Sequence, residues 1–402
     1  MKKLLCVLGF AAVLSMTAAP AVAATQWNFA ASLRFATWWT DLDGGKNKIS
    51  DMQGGGARLN RDATLEFLQQ RNSRIKMLMK SDNLEGYIEM GWNTATGAVT
   101  PRDYFGTYRF NDSFSITFGQ HLQLFDTPGL SSQVWGNDLN MHGIGVSWNP
   151  SDPKMFFTYR GFQFGLSTPY HTEGRLSGNI SSAATTAYTA DKDTYMPQLQ
   201  FAYEYKADAW RVKVGGGFQT YRIKHLTDAT NTVLVKSKNV NSWLLMADGN
   251  INFGPLYLAG TASVGQNWAE ACWNTRKGGL GNEYANNKRM DTFGIAIKDN
   301  KIKNTTSVMG AVVVGYRLTE ALRFEAGFGY RYDENDAWER DSHMWTTYIQ
   351  AAYTVTPGFR IIPEIGYVDL GDTVGSRSRA SKVKGSDNGH VWYAGAKWQM
   401  DF

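Results

Sequence analysis

Residues Leu322 to Asp333 separate by parity into two unlike sets. Leu322, Phe324, Ala326, Phe328, Tyr330 and Tyr332 are apolar or aromatic, whereas Arg323, Glu325, Gly327, Gly329, Arg331 and Asp333 are charged or small. A helix would smear the charges around its axis, because its side chains repeat every 3.6 residues. Only a β-strand, with side chains on alternate faces, keeps the two sets apart. The same period of two recurs at Phe29 to Phe35, Leu84 to Trp92, Phe114 to His121, Leu199 to Tyr205, Trp210 to Phe218, Trp243 to Ile251, Leu256 to Val264, Val308 to Leu318, Trp345 to Val355, Phe359 to Tyr367 and Trp392 to Phe402. Each run has about the 9 to 11 residues that a tilted strand needs to cross a bilayer.

The connections alternate in kind. Short turn clusters lie at Ser81-Asp82-Asn83, Asn111-Asp112-Ser113, the Pro150 to Gly161 region, Ala207-Asp208, Phe253-Gly254-Pro255, Leu318-Thr319-Glu320 and Thr356-Pro357-Gly358, all rich in the residues that turns favour. Longer polar stretches separate them at Asp41 to Arg58, Asn93 to Pro101, Leu122 to Asn140, Tyr170 to Thr194, Lys224 to Val240, Trp268 to Lys303, Glu334 to Ser342 and Gly371 to Asn388. In strict alternation they join about sixteen antiparallel strands and leave both termini at the short-turn end. Short turns at one end and long loops at the other are the plan of a transmembrane antiparallel β-barrel, an all-β fold. Within the hairpin from Met141 to Tyr170, His142 to Trp148 and Phe162 to Thr168 read as its two strands.

A soluble β-sandwich or solenoid array would also alternate. The chain shows no sequence repeat, and aromatics stand at strand ends, among them Trp92, Trp210, Tyr332, Trp345, Tyr367 and Trp398, where the two membrane interfaces would collect them. At 13% aromatic residues the chain is far from disordered composition. The only long apolar run follows Lys2 and Lys3, spans Leu4 to Met16 and precedes Ala21-Val22-Ala23. It reads as a signal peptide over residues 1–23, leaving residues 24–402 as the barrel. Cys6 would leave with it, so Cys272 would have no intrachain partner. A formal net charge of +5 without a clustered basic stripe gives no footprint for nucleic acid.

Catalytic signatures such as Gly-x-Ser-x-Gly, a phosphate-binding Gly-rich loop or His-Glu-x-x-His do not occur, and the six histidines are scattered. No enzymatic step and no cofactor is expected. An outer-membrane hydrolase is the enzyme alternative, and an adhesion or scaffolding barrel the structural one. Asp333, Glu334 and Asp336 belong to an acidic cluster that also includes Asn335, Glu339 and Asp341. They are weak metal candidates, since oxygen ligands are present without the spacing of a calcium loop; a solvated loop is the preferred reading. Trp268, Cys272 and Trp273 suggest packing within a folded loop. Gln69, Arg71 and Ser73 put polar groups on the otherwise outward side of an early strand, which suggests burial against neighbouring subunits rather than against lipid.

With these features the chain resembles the trimeric general porins of Gram-negative bacteria, and is similar above all to the homotrimeric porins of sulfate-reducing delta-proteobacteria. The likeness is carried by the leader, the strand number, the terminal Phe402 after Trp398 and Met400, the hairpin Arg74 to Trp92 and the stretch Phe114 to Asp138. The resemblance implies a water-filled channel for passive diffusion of small hydrophilic solutes and ions. It further implies a homotrimer among outer-membrane lipids and lipopolysaccharide, with Phe402 read by the barrel-assembly machinery. In such porins the third long loop enters the lumen with carboxylates opposite wall arginines. Carried over by order along the chain, the inward loop is 122–140, its carboxylates are Asp126 and Asp138, and the facing basics are Arg34, Arg74, Lys76 and Arg109. Thr127-Pro128-Gly129 stands where enterobacterial porins have Pro-Glu-Phe-Gly-Gly.

A substrate-selective channel for sugars or anions is the alternative. Inward aromatics are sparse, chiefly Tyr87, Tyr257, Tyr348 and Tyr393, so no sugar track is evident. Arg211, Lys213, Arg317, Arg323, Arg331, Arg360 and Lys397 join the four wall basics on inward faces, against Glu85, Glu89, Glu204, Asp248, Glu325, Glu364 and Asp401. The basic excess predicts weak anion preference, opposed by Asp126 and Asp138.

Overall fold

In the computed structural model the alternating segments are paired strands, neighbour to neighbour, around a closed sheet. The described residues are 25–43, 61–70, 72–93, 98–127, 134, 141–147, 149, 151–170, 189–227, 232–273, 294–299, 301–373, 376–378, 381–383, 386–387 and 389–402. The sheet contains 18 stretches of strand. Arg61–Gln69 and Arg74–Ser81 pair with successive halves of one partner. Thr189–Asp193 and Gln198–Lys206 do the same. Each of these two pairs is one interrupted strand, so the barrel has sixteen.

In chain order the strands are β1 (Gln26–Asp43), β2 (Arg61–Gln69 and Arg74–Ser81), β3 (Leu84–Asn93), β4 (Ala98–Asn111), β5 (Phe114–His121), β6 (Asp152–Tyr159), β7 (Phe162–Ser167) and β8 (Thr189–Asp193 and Gln198–Lys206). They continue as β9 (Trp210–Thr227), β10 (Val233–Phe253), β11 (Leu256–Gln266), β12 (Thr306–Arg317), β13 (Leu322–Glu334), β14 (Ser342–Thr356), β15 (Phe359–Asp369) and β16 (His390–Asp401). Pairing of β1 with β16, from Ser32 opposite Asp401 to Asp43 opposite His390, closes the ring. The backbones of Ala31 and Phe402 extend that seam by two hydrogen bonds of 2.9 and 3.1 Å. Closure leaves no edge strand, so no row of backbone donors faces lipid.

Parity decides what faces out. Trp27, Phe29, Leu33, Phe35 and Trp39 of β1 are exposed on the outer surface, as are Phe324, Phe328 and Tyr330 of β13. At the long-loop end Trp345 stacks on Tyr367 at 4.5 Å, and Tyr367 meets Trp392 at 4.7 Å. At the short-turn end Tyr205 lies 5.2 Å from Trp210, and Phe162 4.4 Å from Tyr203. Two aromatic rims around an apolar band match the chemistry of a bilayer and its interfaces.

Four sequence expectations change. The described residues 142–147 are not a strand: the strand after the third loop is Asp152–Tyr159, and its turn is Arg160-Gly161 alone. Ile144 and Val146 alternate with Gly143 and Gly145 as a strand would, but with Met141 they are buried outside any barrel strand, and among the described residues the strand after His121 begins only at Asp152. The stretch from Lys224 to Val240 is mostly strand, with only residues 228–232 linking β9 to β10. Tyr221, Ile223, Leu226 and Val240 give that extension an apolar inner face, covered by Ile295 from the sixth loop. Finally, the outward polar patch expected at Gln69, Arg71 and Ser73 changes in part: Gln69 keeps the outer side, in register with Phe35, but Ser73 does not. Gln70, Asn72 and Ser73 are buried at the interruption of β2, where Ser73 Oγ accepts from Arg34 N at 2.9 Å and donates to Arg34 O at 3.0 Å. A side chain thereby replaces the ladder partner that the insertion removes. Arg71 lies outside the described residues.

Candidate functional site

The inner surface begins with the two strand faces that the alternation leaves charged. Arg74 on β2 donates to Glu89 Oε1 on β3 at 3.0 Å, Arg102 Nε reaches the same oxygen at 2.7 Å, and Lys76 lies 3.7 Å from Oε2. Three cations therefore surround one buried carboxylate. Lower on the same wall Arg109 of β4 grips both oxygens of Glu85, at 3.1 and 2.8 Å, in the bidentate fork that guanidinium geometry allows. Lys76, Arg102 and Arg109 keep about a third to a half of their side-chain surface exposed, 36%, 34% and 47%. Arg34 also points inward, its Nε donating to Ser32 Oγ at 3.0 Å.

Arg102 is absent from the sequence-based set because the alternation assigns it no face. A register shift between Glu89 and Met90 leaves it without a cross-strand partner and swings it into the lumen. Pro101 beside it is the available signal, since proline within a strand marks bulges.

The third loop crosses the interior and meets the opposite walls. Leu124 packs with Phe156 and Ala202, and its N–H donates to Gln200 Oε1 at 3.1 Å. Phe125 is fully buried with Leu244, Met246, Met309 and the sixth-loop residues Trp268 and Trp273. A Cβ at Gly217 of β9 would lie 2.9 Å from Phe125 and 2.8 Å from Trp273, so this wall position needs glycine for close approach. Val134 joins Ala36, Trp38, Val391 and Tyr393 on the far side. Met141 and Val146 contact Val313 and Tyr348, while Arg331 Nη1 donates to Gly143 O at 3.0 Å.

Asp126 sits where the two ends of this loop meet, and it is buried rather than facing water. Its carboxylate accepts from Asn149 Nδ2 at 2.5 Å and from Gln123 N at 3.1 Å. Lys213 of β9 donates to its backbone carbonyl at 2.9 Å. Burial pushes the Asp126 carboxyl up to about 7, against the pull of Asn149 and of the Lys154 and Lys213 charges. The cations around Asp126 are thus Lys154 and Lys213, whereas Arg74, Lys76 and Arg109 are held by Glu89 and Glu85. Sequence order alone pairs the wrong wall with the loop, because which strands face each other depends on barrel curvature. Asp138 lies outside the described residues.

Tyrosines hold the carboxylates of the remaining wall. Tyr348 donates to Glu325 at 2.8 Å and Tyr257 donates to the same group, while Tyr393 donates to Glu364 at 2.7 Å. Tyr348 and Tyr393 are buried, so neither offers a ring face to a solute.

The three metal candidates diverge. Asp333 is buried and bound by Arg331 through Nε at 2.7 Å and Nη2 at 2.9 Å. Glu334 accepts from Tyr332 at 3.0 Å, and Asp336 pairs with Lys303 at 2.9 Å. Among the described residues no group of three or more possible ligands converges on one point.

No family model matches the chain, and no curated protein matches it. Solved structures do. The outer membrane channel DcaP of Acinetobacter baumannii is similar over 94% of this chain and 97% of its own, with a TM-score of 0.62 at 15% identity. The anion-selective porin from Comamonas acidovorans aligns over 94% of this chain and all of its own, with a TM-score of 0.56 at 9% identity. OmpT, an outer membrane protein of Vibrio cholerae, in a trimer form, aligns over 94% of this chain and all of its own, with a TM-score of 0.52 at 14% identity. At such identities what the chain shares with these proteins is the fold.

Proposed function

We propose that this chain is an outer-membrane porin of a Gram-negative bacterium, a water-filled channel for passive diffusion of small hydrophilic solutes and ions, with no enzymatic step. The observation that carries the reading is a closed barrel, apolar outside, whose charged inner wall keeps Lys76, Arg102 and Arg109 partly exposed beside a loop folded across the interior. Exposed cations on a lumen face imply water there, because an unsolvated cation costs several kcal/mol. The test is conductance of the purified full chain in planar bilayers. Discrete steps that scale with salt concentration are expected; no steps from folded protein would sink the reading.

The assembly is proposed as a homotrimer, supported by the porin resemblance and by a fold shared with a protein solved in a trimer form. A monomeric mass for the detergent-extracted protein counts against it. The same resemblance supports export by residues 1–23, contact with outer-membrane lipids and lipopolysaccharide, Phe402 as the signal for the barrel-assembly machinery, and kinship with the porins of sulfate-reducing delta-proteobacteria. Weak anion preference is the second reading. Glu89 is buried among three cations of the wall, and the neighbour from Comamonas acidovorans is an anion-selective porin.

A further inference from the structure

At the short-turn mouth of the lumen two arginines stand directly opposite each other. Arg317 closes β12 and Arg323 opens β13, paired in register on the inner face. Like charges at directly opposed positions repel and destabilise a strand pair. Other wall carboxylates near this mouth are paired with cations: Arg109 holds Glu85, Arg211 holds Glu204 at 3.0 Å, and Arg360 holds Asp401 at 2.8 Å. The arginine pair is not balanced in this way. Glu325, the nearest acid, already accepts from Tyr257, Tyr348 and Gln350, and it approaches only Arg323, at 3.9 Å. Glu320, in the adjoining turn, forms no ion pair with either arginine.

A second observation concerns a donor. Arg323 Nε is buried and has no hydrogen-bond partner. A buried donor without an acceptor is destabilising, and more so when it is charged. The guanidinium is held in place by the Tyr257 ring, 5.7 Å from its carbon, and that ring is oriented in turn by its hydroxyl bond to Glu325. The arrangement is one oriented guanidinium, that of Arg323, with Arg317 in register beside it on the inner face.

We propose that Arg317 and Arg323 form a binding site for small oxyanions carrying two negative charges, the class of hydrogen phosphate and short dicarboxylates. Such an ion offers oxygens to the exposed nitrogens of both guanidinium groups at once and relieves their repulsion. As a station at the mouth of the lumen the site rests on the channel reading; as a binding site it does not.

The experiment uses the full chain with inorganic phosphate as the probe, against chloride at equal ionic strength. In planar bilayers, phosphate on the short-turn side is expected to reduce chloride current through the native channel. Arg317→Gln combined with Arg323→Gln is expected to raise the half-blocking concentration about tenfold, the effect of losing charge-assisted bonds. In detergent, phosphate is expected to raise the unfolding midpoint of the native protein and leave that of the double variant unmoved. Arg317→Gln alone, at an exposed position, guards against a folding failure and should weaken both effects. Equal block and equal stabilisation in native and variant proteins overturn the site. So does a conducting native channel that phosphate neither blocks nor stabilises. A phosphate-dependent shift without conductance would leave the site and remove the channel.

Discussion

Lys213 Nζ donates to the backbone carbonyl of Asp126 at 2.9 Å, so the wall of β9 grips the third loop by its main chain and not by the carboxylate beside it. The carboxylate is turned inward to Asn149 and Gln123, tying the outgoing and returning limbs of the loop together. Its chief work is therefore mechanical, and its effect on passing ions is screened by burial and by two lysines.

Asp126→Asn removes an acceptor that serves two donors at once. An amide offers one oxygen, and its NH2 would face one of the two donors, costing about 1–3 kcal/mol. The expected result is a noisier open channel with a nearly unchanged reversal potential. A clear change in ion preference without added noise would place the carboxylate on the water path.

Acidity should act on the same knot. The folded-state value of about 7 lies above the ordinary 3.8, so the proton is held more tightly in the folded protein. The stability this contributes is complete below about pH 3.8 and is lost as pH rises through 7. The difference in unfolding midpoint between the native protein and Asp126→Asn should thus shift in favour of the variant between pH 4 and pH 8. A pH-independent difference would show that Asp126 keeps an ordinary acidity.

Glu89→Gln leaves Arg74, Lys76 and Arg102 around a neutral amide. Reversal potentials in a KCl gradient should move toward stronger anion preference, and more at low salt, because the Debye length shrinks to about 8 Å at physiological ionic strength. No movement at any salt would mean that this wall lies off the ion path.

Gly145 lies against the wall so closely that a Cβ would fall 2.7 Å from both Gly310 O and the Gly329 Cα. Backbone on both sides cannot yield cheaply. Gly145→Ala should cost about 1–3 kcal/mol of overpacking strain and displace the returning limb of the loop, read as altered unit conductance with the barrel still folded by circular dichroism. Native conductance from this variant would mean that the limb is not seated there.

Removing Phe402 takes away both backbone bonds to Ala31 at the closing seam and an outward aromatic that is 77% exposed. The amount of folded protein in the outer membrane should drop several-fold; heat-resistant trimer measured by electrophoresis at the native level would argue against an assembly role.

The period of two, visible in runs such as Leu322 to Asp333, and the alternation of turns and loops by themselves determined the barrel, its strand number and the face of most charged residues on its strands. Strand geometry turns parity into side, so Arg34, Arg74, Lys76, Arg109, Arg317 and Arg323 point inward as parity requires. The alternation of turn and loop lengths likewise determined which end each connection occupies. Parity fails where one residue more or less enters a strand, as at Arg102 and at the interruption closed by Ser73, because the register is a property of the pair. It also misleads where a loop alternates by chance, as His142 to Val146 does, since burial inside a barrel selects apolar residues such as Ile144 and Val146 without asking for a strand. Which charges meet was decided only by closure. Curvature brings β9 to Asp126 and leaves β2 to β4 to Glu85 and Glu89, and no local pattern encodes the distance between strands far apart in the ring.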